Sequence, residues 1–296
     1  MFVVLIVGIG ANENRGIILE LFTVKMPSSF NLYQLGDGHE GTIAQARTSL
    51  LNGIKLIKND PIGYAVHVGD ECEGRAIDDP RYDSDVNTTP VPFRQAEQVI
   101  EDFSPIKKKI IVWLEGNHNL YAKKYVHITK HICRELDIPF GTWSSKVNYT
   151  DRKGASYFKA FYVHGAQMSG PTRSRAGTPS RRSFNESESL KNLLYPACDD
   201  VLYYGCGHYH RQILYSPEMG KELLLRDDGR EIKQEWSQVG DGPDTKFYAC
   251  SGAFVKQFII GASTYAERNL YRPVDIGMIK TVVKNGVIKE VVKIAL

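Results

Sequence analysis

The chain has 296 residues, is 42% hydrophobic and 24% charged, and carries a formal net charge of +3. This composition excludes a disordered or fibrous protein, and the charge is too small to indicate nucleic-acid binding by itself. The five cysteines include no CxxC pair, which argues against a disulfide framework or a cysteine-based zinc site. No linker or repeat divides the sequence, so we expect a single domain over residues 1–296.

The first ten residues, MFVVLIVGIG, are apolar, but they lack the basic start of a signal peptide and the apolar run is short. They favour a strand that pairs with the apolar run at 17–24 in an opening hairpin. We therefore expect a soluble cytoplasmic protein with no membrane partner.

After the opening hairpin, three further strands are predicted in the first half of the chain. Each is followed by a glycine and polar residues. The first, at 31–35, ends on GDGHEG. Thr42 and Gln45 then form a capping-box pattern that predicts a helix beginning at Thr42. The second strand, at 63–68, ends on Gly69 and Asp70 and precedes a long polar stretch at 71–92, whose length favours a functional loop.

The third strand is the most strongly marked. Residues 110–114 are five apolar residues in a row, typical of a strand buried on both faces, and they follow a helix predicted at 93–103. The sequence GNH at 116–118 comes next, and an amphipathic helix is predicted between Tyr121 and Leu136. His127 and His131 on that helix are four residues apart, but no acid completes an HExxH motif, so an exposed pair is favoured over a metal clamp.

The second half of the chain is mostly β, with one basic segment. A strand at 157–163 runs into His164, and another at 201–204 runs into GCGHYH at 205–210. A short helix is predicted at 184–194. Apolar runs at 253–260, 276–283 and 287–294 predict further strands, the last two joined as a hairpin by Lys-Asn-Gly.

The basic segment at 171–182 contains no acid. It is either a mobile surface loop or a contact to the phosphate backbone of a nucleic acid. Four arginines define it: Arg173, Arg175, Arg181 and Arg182.

Ligand-type side chains therefore follow five predicted strands, at the edge where open α/β sheets place their chemistry. Imidazoles, carboxylates and an amide oxygen suit Zn, Fe or Mn, and so many candidate ligands suit two ions about 3.5 to 4 Å apart. Such pairs of ions are used to hydrolyse phosphate esters. The candidate residues are Asp37, His39, Asp70, Asn117, His118, His164, His208 and His210.

The order of these motifs resembles the calcineurin-like metallophosphoesterase superfamily. DxH at 37–39, GD at 69–70, GNH at 116–118, a histidine before glycine at 164 and GHxH at 207–210 all occur in the right order. The resemblance spans residues 37–210. It implies an α/β fold, a four-layer α/β/β/α sandwich with a dinuclear site at the strand C-termini and a mostly β C-terminal region.

The resemblance also implies a role for each residue. Asp37, His39 and His210 would hold one divalent ion. Asn117, His164 and His208 would hold the second, with Asp70 bridging both. A hydroxide between the ions would attack phosphorus in line, and His118 would assist the leaving oxygen. We expect two divalent ions, with Mn²⁺ as the predicted metal and Fe or Zn as alternatives.

Two departures from the family pattern are informative. The family usually has an acid after GNH to orient the imidazole, whereas this chain has Asn119. The chain also lacks the GDxxDRG motif of the Ser/Thr protein phosphatases, with Gly74 where the phosphate-gripping arginine would stand. A protein phosphatase is therefore disfavoured.

Three functions stay open at this point. The first is a phosphodiesterase, with DNA or RNA as candidate substrates, similar to the Mre11/SbcD nuclease branch or to phage-type enzymes of the superfamily. The four arginines at 173–182, with Lys123 and Lys124 after GNHN, favour it. The second is a phosphomonoesterase acting on a small phosphomonoester or a nucleotide, and the third is a metal-bound scaffold without activity. No motif identifies a protein partner.

Overall fold

The computed structural model describes residues 4–6, 20–165, 179–221, 223–227, 232–236, 242–273 and 275–296. Within them the strands are β1 (Val4–Ile6), β2 (Glu20–Lys25), β3 (Phe30–Leu35), β4 (Gly63–His67), β5 (Ile110–Trp113), β6 (Ser144–Thr150), β7 (Ser156–Val163), β8 (Tyr203–Cys206), β9 (Gln212–Tyr215), β10 (Leu223–Asp227), β11 (Ile232–Trp236), β12 (Phe247–Ser251), β13 (Gly277–Lys284) and β14 (Val287–Ala295). The α-helices are α1 (Arg47–Asn59), α2 (Pro92–Phe103), α3 (Ile128–Leu136), α4 (Pro179–Leu194) and α5 (Tyr265–Arg268).

One sheet has five strands in the order β14-β13-β3-β4-β5. Strands β3, β4 and β5 are parallel, and the chain passes through α1 and then α2 between them. Because parallel strands end at the same edge of a sheet, the three turns that follow β3, β4 and β5 lie next to one another. The C-terminal hairpin extends the other side of this sheet.

The second sheet has seven strands in the order β1-β2-β6-β7-β8-β12-β9. Strands β1 and β2 pair antiparallel, so the predicted opening hairpin is confirmed. Strands β7 and β8 are parallel, which places their C-terminal turns side by side. Strands β10 and β11 form a separate two-stranded hairpin.

Three apolar clusters show that the molecule is layered helix, sheet, sheet, helix. Between the sheets, Leu32 and Val66 pack with Tyr149 and Tyr203. The outer face of the five-stranded sheet is covered by α1, α2 and α3, and Trp113 is fully buried there. On the far side α4 covers the seven-stranded sheet. The predicted four-layer α/β/β/α architecture is therefore confirmed.

The helix predicted from Thr42 begins five residues later, at Arg47. The Thr42 hydroxyl instead donates to the Val86 carbonyl at 3.2 Å, and the Gln45 side chain donates to the Gly38 carbonyl at 3.2 Å. Both side chains are thus used to hold neighbouring loops, and the capping-box prediction was wrong.

Three other predicted elements differ from the structure. The helix predicted from Tyr121 is a short 3₁₀ helix, His118–Ala122, followed after a break by α3. Residues 253–260 do not form a regular strand, although their apolar character predicted one. Helix α4 begins at Pro179 rather than at 184. In the part of the chain that the structure describes, no helix has the length and apolar character needed to cross a bilayer.

A buried glutamine joins the two sheets below the ligand-bearing turns. Gln34 on β3 donates to the carbonyls of Cys206 on β8 and Ala249 on β12, at 2.9 and 3.2 Å. It also accepts from the Tyr203 hydroxyl at 2.9 Å. All three partners belong to the other sheet, so this one side chain fixes how the sheets are placed relative to each other at the site.

Replacing Gln34 with Leu should lower the free energy of unfolding by roughly 2–4 kcal/mol, because buried carbonyl and hydroxyl groups lose their partner. Urea denaturation followed by circular dichroism measures the change. Gln98→Leu on the surface of α2 is the matched control and should stay within about 0.5 kcal/mol of the parent. An equal effect of the two substitutions would contradict the bridging role.

Candidate metal centre

The turns that follow β3, β4, β5, β7 and β8 meet at one edge, where the two sheets face each other. Backbone contacts link them: the His208 N–H donates to both carboxylate oxygens of Asp37, at 3.1 and 3.0 Å. The His118 N–H donates to Asp70 Oδ1 at 2.8 Å. All eight candidate residues of the sequence analysis are gathered there.

Asp37, His39 and His210 form the first group. The Nε2 atoms of His39 and His210 are 3.2 Å apart, and His210 Nε2 is 3.4 Å from Asp37 Oδ1. One potential ligand atom from each residue lies within 4.8 Å of the other two. This is the set that the family resemblance implies for one ion.

Asp70, Asn117, His164 and His208 form the second group. The side-chain amide of Asn117 places one atom 2.9 Å from His164 Nε2, 2.8 Å from His208 Nδ1 and 3.2 Å from Asp70 Oδ2. With the amide nitrogen at that point, Asn117 has two N–H groups and donates to two of these atoms at most. With the oxygen there and His164 Nε2 unprotonated, four acceptors face one another, an arrangement that a cation satisfies.

Asp70 lies between the two groups. Its Oδ2 is 3.2 Å from His164 Nε2 in the second group and 3.9 Å from His39 Nε2 in the first. The side chain is 1% exposed. Asp70 is therefore close to candidate ligand atoms of both groups.

In two of the histidines, Nδ1, the ring nitrogen that faces away from the other candidate ligands, lies beside an acceptor oxygen. His164 Nδ1 is 2.7 Å from the Val68 carbonyl, and His39 Nδ1 is 3.0 Å from Glu73 Oε2. Each Nδ1 therefore carries the proton and each Nε2 is directed at the other candidate ligands. Anchoring of this kind fixes the tautomer and the ring orientation of metal-binding histidines.

Five of the candidate ligands have left-handed backbone conformations, which are uncommon for residues other than glycine. The φ angles are 52° for Asp37, 48° for His39, 53° for Asp70, 71° for His208 and 52° for His210. Strained backbone of this kind is typical of functional sites, where the surrounding structure maintains it. It also explains why residues two apart in GDGHEG and GHYH both reach one site.

Gly116 permits the closest approach of two of these turns. A Cβ atom at this position would lie 2.0 Å from Asp70 Oδ1 and 2.2 Å from the Asp70 nitrogen. Only glycine therefore lets the GNH turn pack directly on Asp70, which is why the motif begins with this residue.

The electrostatics of the centre are those of buried carboxylates surrounded by imidazoles. Burial would raise the pKa of Asp70, but the imidazoles of His164 and His118 hold it well below its usual range. Burial would lower the pKa of His164, but Asp70 raises it to about 9. His208 has a pKa lowered to about 4 by burial and by the neighbouring charge of His164. Without metal, protonated His164 thus compensates the charge of Asp70.

Glu73 is a site residue that the sequence analysis missed. Its carboxylate is 3.0 Å from His39 Nδ1 and 3.3 Å from His118 Nδ1, and the His118 side chain is 17% exposed. Burial would raise the pKa of Glu73, but the nearby imidazoles hold it far below its usual range. Asn119, which replaces the family acid, points away and donates to the Thr129 hydroxyl at 2.8 Å. Glu73 thus places a carboxylate beside the His118 ring, and its backbone carbonyl lies 3.2 Å from His118 Nδ1. The signal available in the sequence was an acid three residues after Asp70.

Six basic residues are the other candidates of the sequence analysis. Arg173 and Arg175 fall outside the described residues, whereas Arg181 and Arg182 lie in the first turns of α4. Lys123 pairs with Glu115 at 3.1 Å, and Lys124 pairs with Asp78 at 2.6 Å. Neither lysine is thus an uncompensated positive charge.

The histidine pair predicted to be exposed is partly buried, with 28% of the His127 side chain and 13% of the His131 side chain exposed. His127 lies 3.3 Å from Glu115, and its Nδ1 accepts from the Lys130 nitrogen at the start of α3. His131 packs against the Phe93 ring.

No family model matches the sequence, and no curated protein matches it. Solved structures that the fold is similar to include Vps29 from Chaetomium thermophilum, with 12% identity over 90% of this chain and 97% of that one and a TM-score of 0.37. A metallophosphoesterase from Sphaerobacter thermophilus matches with 11% identity, 90% and 88% coverage and a TM-score of 0.38. Pseudomonas putida nuclease MPE matches with 12% identity, 87% and 85% coverage and a TM-score of 0.32. These identities and TM-scores are too low to assign a function or a family to this chain.

The donor set itself fits divalent metal. Its nitrogen and oxygen atoms converge, the histidine tautomers are fixed from behind, and no thiolate takes part. Mn²⁺ at about 100 times its dissociation constant should therefore raise the melting temperature by roughly 5–10 °C. Differential scanning calorimetry with and without the metal measures this shift.

His164→Ala should reduce the Mn²⁺-induced shift by about half, because it removes a ligand of the second group and leaves the first group intact, whatever it does to the melting temperature of the metal-free protein. His127→Ala is the control, since that histidine lies outside the centre, and it should keep the full shift. The metal-binding interpretation would be wrong if both variants kept the shift.

Proposed function

We propose that this protein is a dinuclear-metal-dependent phosphodiesterase of the calcineurin-like type, with Asp37, His39 and His210 on one ion and Asn117, His164 and His208 on the other. The observation that carries the proposal is the position of Asp70, whose carboxylate lies between the two groups of ligand atoms. The motif order in the sequence supports the same assignment. Mn²⁺ is the proposed metal.

When bound, the ions lower the pKa of water and neutralise negative charge that develops on the phosphoryl oxygens. The ligand side chains hold this chemistry in a buried position, since Asp37 and His164 are fully buried and His39 is 3% exposed. Water is thus excluded from all but the open side of the centre, where His118 and His210 are partly exposed.

His118 is the proposed catalytic residue. Its ring lies 4.4 Å from the His39 ring, and His118, His39 and Glu73 also offer potential ligand atoms within 4.8 Å of one another. The family resemblance leaves His118 outside the two ligand groups, so it is assigned to the chemistry. Burial would lower its pKa, but Asp70 and Glu73 raise it above the ordinary value of histidine. A protonated imidazole here can donate to the leaving oxygen of the ester. Glu73 positions the ring by accepting from Nδ1, so that Nε2 faces the substrate.

DNA and RNA are the proposed substrate class, with the arginines at 173, 175, 181 and 182 as phosphate contacts. Arg181 is exposed and Arg182 half-buried at the start of α4, immediately after the segment that follows His164. The lysines after GNHN no longer support this class, because carboxylates of the same chain already pair with them.

Hydrolysis of bis-p-nitrophenyl phosphate, compared with p-nitrophenyl phosphate, tests the proposal. Metal-stripped protein should be inactive, and added Mn²⁺ should restore turnover of the diester above that of the monoester. Asp70→Ala should reduce the diester rate by roughly 100-fold or more, since it removes the carboxylate shared by both ions. Asp199→Ala, an exposed acid near the start of β8, is the control and should leave the rate unchanged.

Preference for the monoester would replace the proposal with a phosphomonoesterase acting on a nucleotide. Loss of turnover on both esters, with two metal ions still bound, would leave a metal-bound scaffold. Either result would contradict the phosphodiesterase proposal.

A further inference from the structure

The loop between β4 and α2, residues 68–91, presents a planar cation close to the catalytic histidine. The guanidinium of Arg81 lies over the ring of Tyr121, with Cζ 3.8 Å from the ring centroid. The Tyr121 ring is in turn 5.2 Å from the His118 ring. Arg81, Tyr121 and His118 therefore form a continuous row that leads from the reaction centre to the surface.

Arg81 is held in a fixed plane. Its Nε and Nη2 donate to the two carboxylate oxygens of Asp79 at 2.9 and 2.8 Å, and its backbone N–H donates to the same carboxylate at 2.9 Å. This two-point contact orients the guanidinium before any ligand arrives. Tyr121 covers one face of the guanidinium, yet half of the Arg81 side chain is exposed. The uncovered surface is available to a flat ligand.

The loop is also tied to the centre, so the row is not an isolated surface contact. The Arg75 guanidinium lies 3.1 Å from Glu73 and donates to the Arg81 carbonyl at 3.3 Å. Asp78 pairs with Lys124, and Asp83 pairs with Arg268 at 2.8 Å. The position of Arg81 is therefore set relative to His118 from several sides.

We propose that Arg81 and Tyr121 form a stacking platform for a planar aromatic ring, the nucleobase of a nucleotide, on the leaving-group side of the ester. The proposal rests on the phosphodiesterase function, in which His118 faces the leaving oxygen. Tyr121 adjoins His118, so a group attached to that oxygen lies beside the row. Guanidinium and aromatic faces stack on bases without regard to their sequence, which suits a nucleic-acid substrate.

A dinucleotide and its two abasic analogues, each lacking one of the two bases, test the platform with the Mn²⁺-loaded full chain. The leaving alkoxide is chemically the same in all three. Removal of the base on the leaving side should raise KM about tenfold and leave kcat nearly unchanged, because stacking away from phosphorus contributes equally to substrate and transition-state binding. Removal of the other base should have little effect.

Arg81→Lys keeps the charge but loses the plane and the two-point contact with Asp79. The KM of this variant for the intact dinucleotide should be about tenfold higher than that of the parent. Removal of the leaving-side base should not raise its KM further. Arg94→Ala is the matched control, an exposed arginine paired with Glu97 at 2.7 Å on α2, and should behave like the parent. A purely structural Arg81 would lower stability while leaving the base dependence intact, and that outcome would overturn the proposal.

The source of the ring can be distinguished with bis-p-nitrophenyl phosphate. A loss in Arg81→Lys that is confined to the dinucleotide identifies a nucleobase, whereas an equal loss on the nitrophenyl diester shows that any planar aromatic ring is accepted and overturns the restriction to nucleobases.

Binding of the fluorescent nucleotide etheno-AMP, followed by fluorescence anisotropy, needs no turnover. Arg81-dependent binding without ester hydrolysis would support the stacking platform and contradict the phosphodiesterase function. Hydrolysis that does not depend on Arg81 or on either base would contradict the platform and leave the phosphodiesterase function supported. Absence of both Arg81-dependent binding and hydrolysis would overturn both.

Discussion

Two carboxylates, Asp37 and Asp70, are removed from water where the two sheets meet, and the rest of the centre compensates their charge. An isolated buried carboxylate is costly, so it requires donors or cations around it. Here imidazoles from both sheets and backbone N–H groups of the opposite turns supply them. The carboxylates and imidazoles are also of the type that binds divalent metal. The buried negative charge that requires these partners is therefore also what would make a bound cation favourable.

The surrounding elements are arranged so that they compensate these two buried charges. Parallel pairing brings three turns to one edge of the five-stranded sheet, and Gln34 fixes the seven-stranded sheet beside them. Left-handed backbone at Asp37, Asp70 and His208 then turns the side chains inward. Glu73 contacts both the metal-ligand candidate His39 and His118, so the two imidazoles share one support. The strands, Gln34, the left-handed turns and Glu73 thus position the side chains of the centre and do not react themselves.

Strand β6 (Ser144–Thr150) was not predicted, but the sequence predicted the five strands that carry the ligand-bearing turns, because buried strands are continuous apolar runs and the turns carry distinctive residues. It did not predict the start of α1, since the local capping preference of Thr42 lost to a tertiary contact with Val86. Glu73 was missed because its role depends on proximity to His118, forty-five residues away in the chain, and periodicity carries no such information. The pairing of Lys124 with Asp78 could not be predicted either, because these residues are also distant in the sequence.

Anomalous diffraction from crystals grown with Mn²⁺ tests the central claim most directly, because it locates each ion without relying on activity. The account predicts two peaks about 3.5 to 4 Å apart, one among Asp37, His39 and His210 and the other among Asn117, His164 and His208, with Asp70 between them. A single peak, or no peak at these side chains under saturating Mn²⁺, would contradict it.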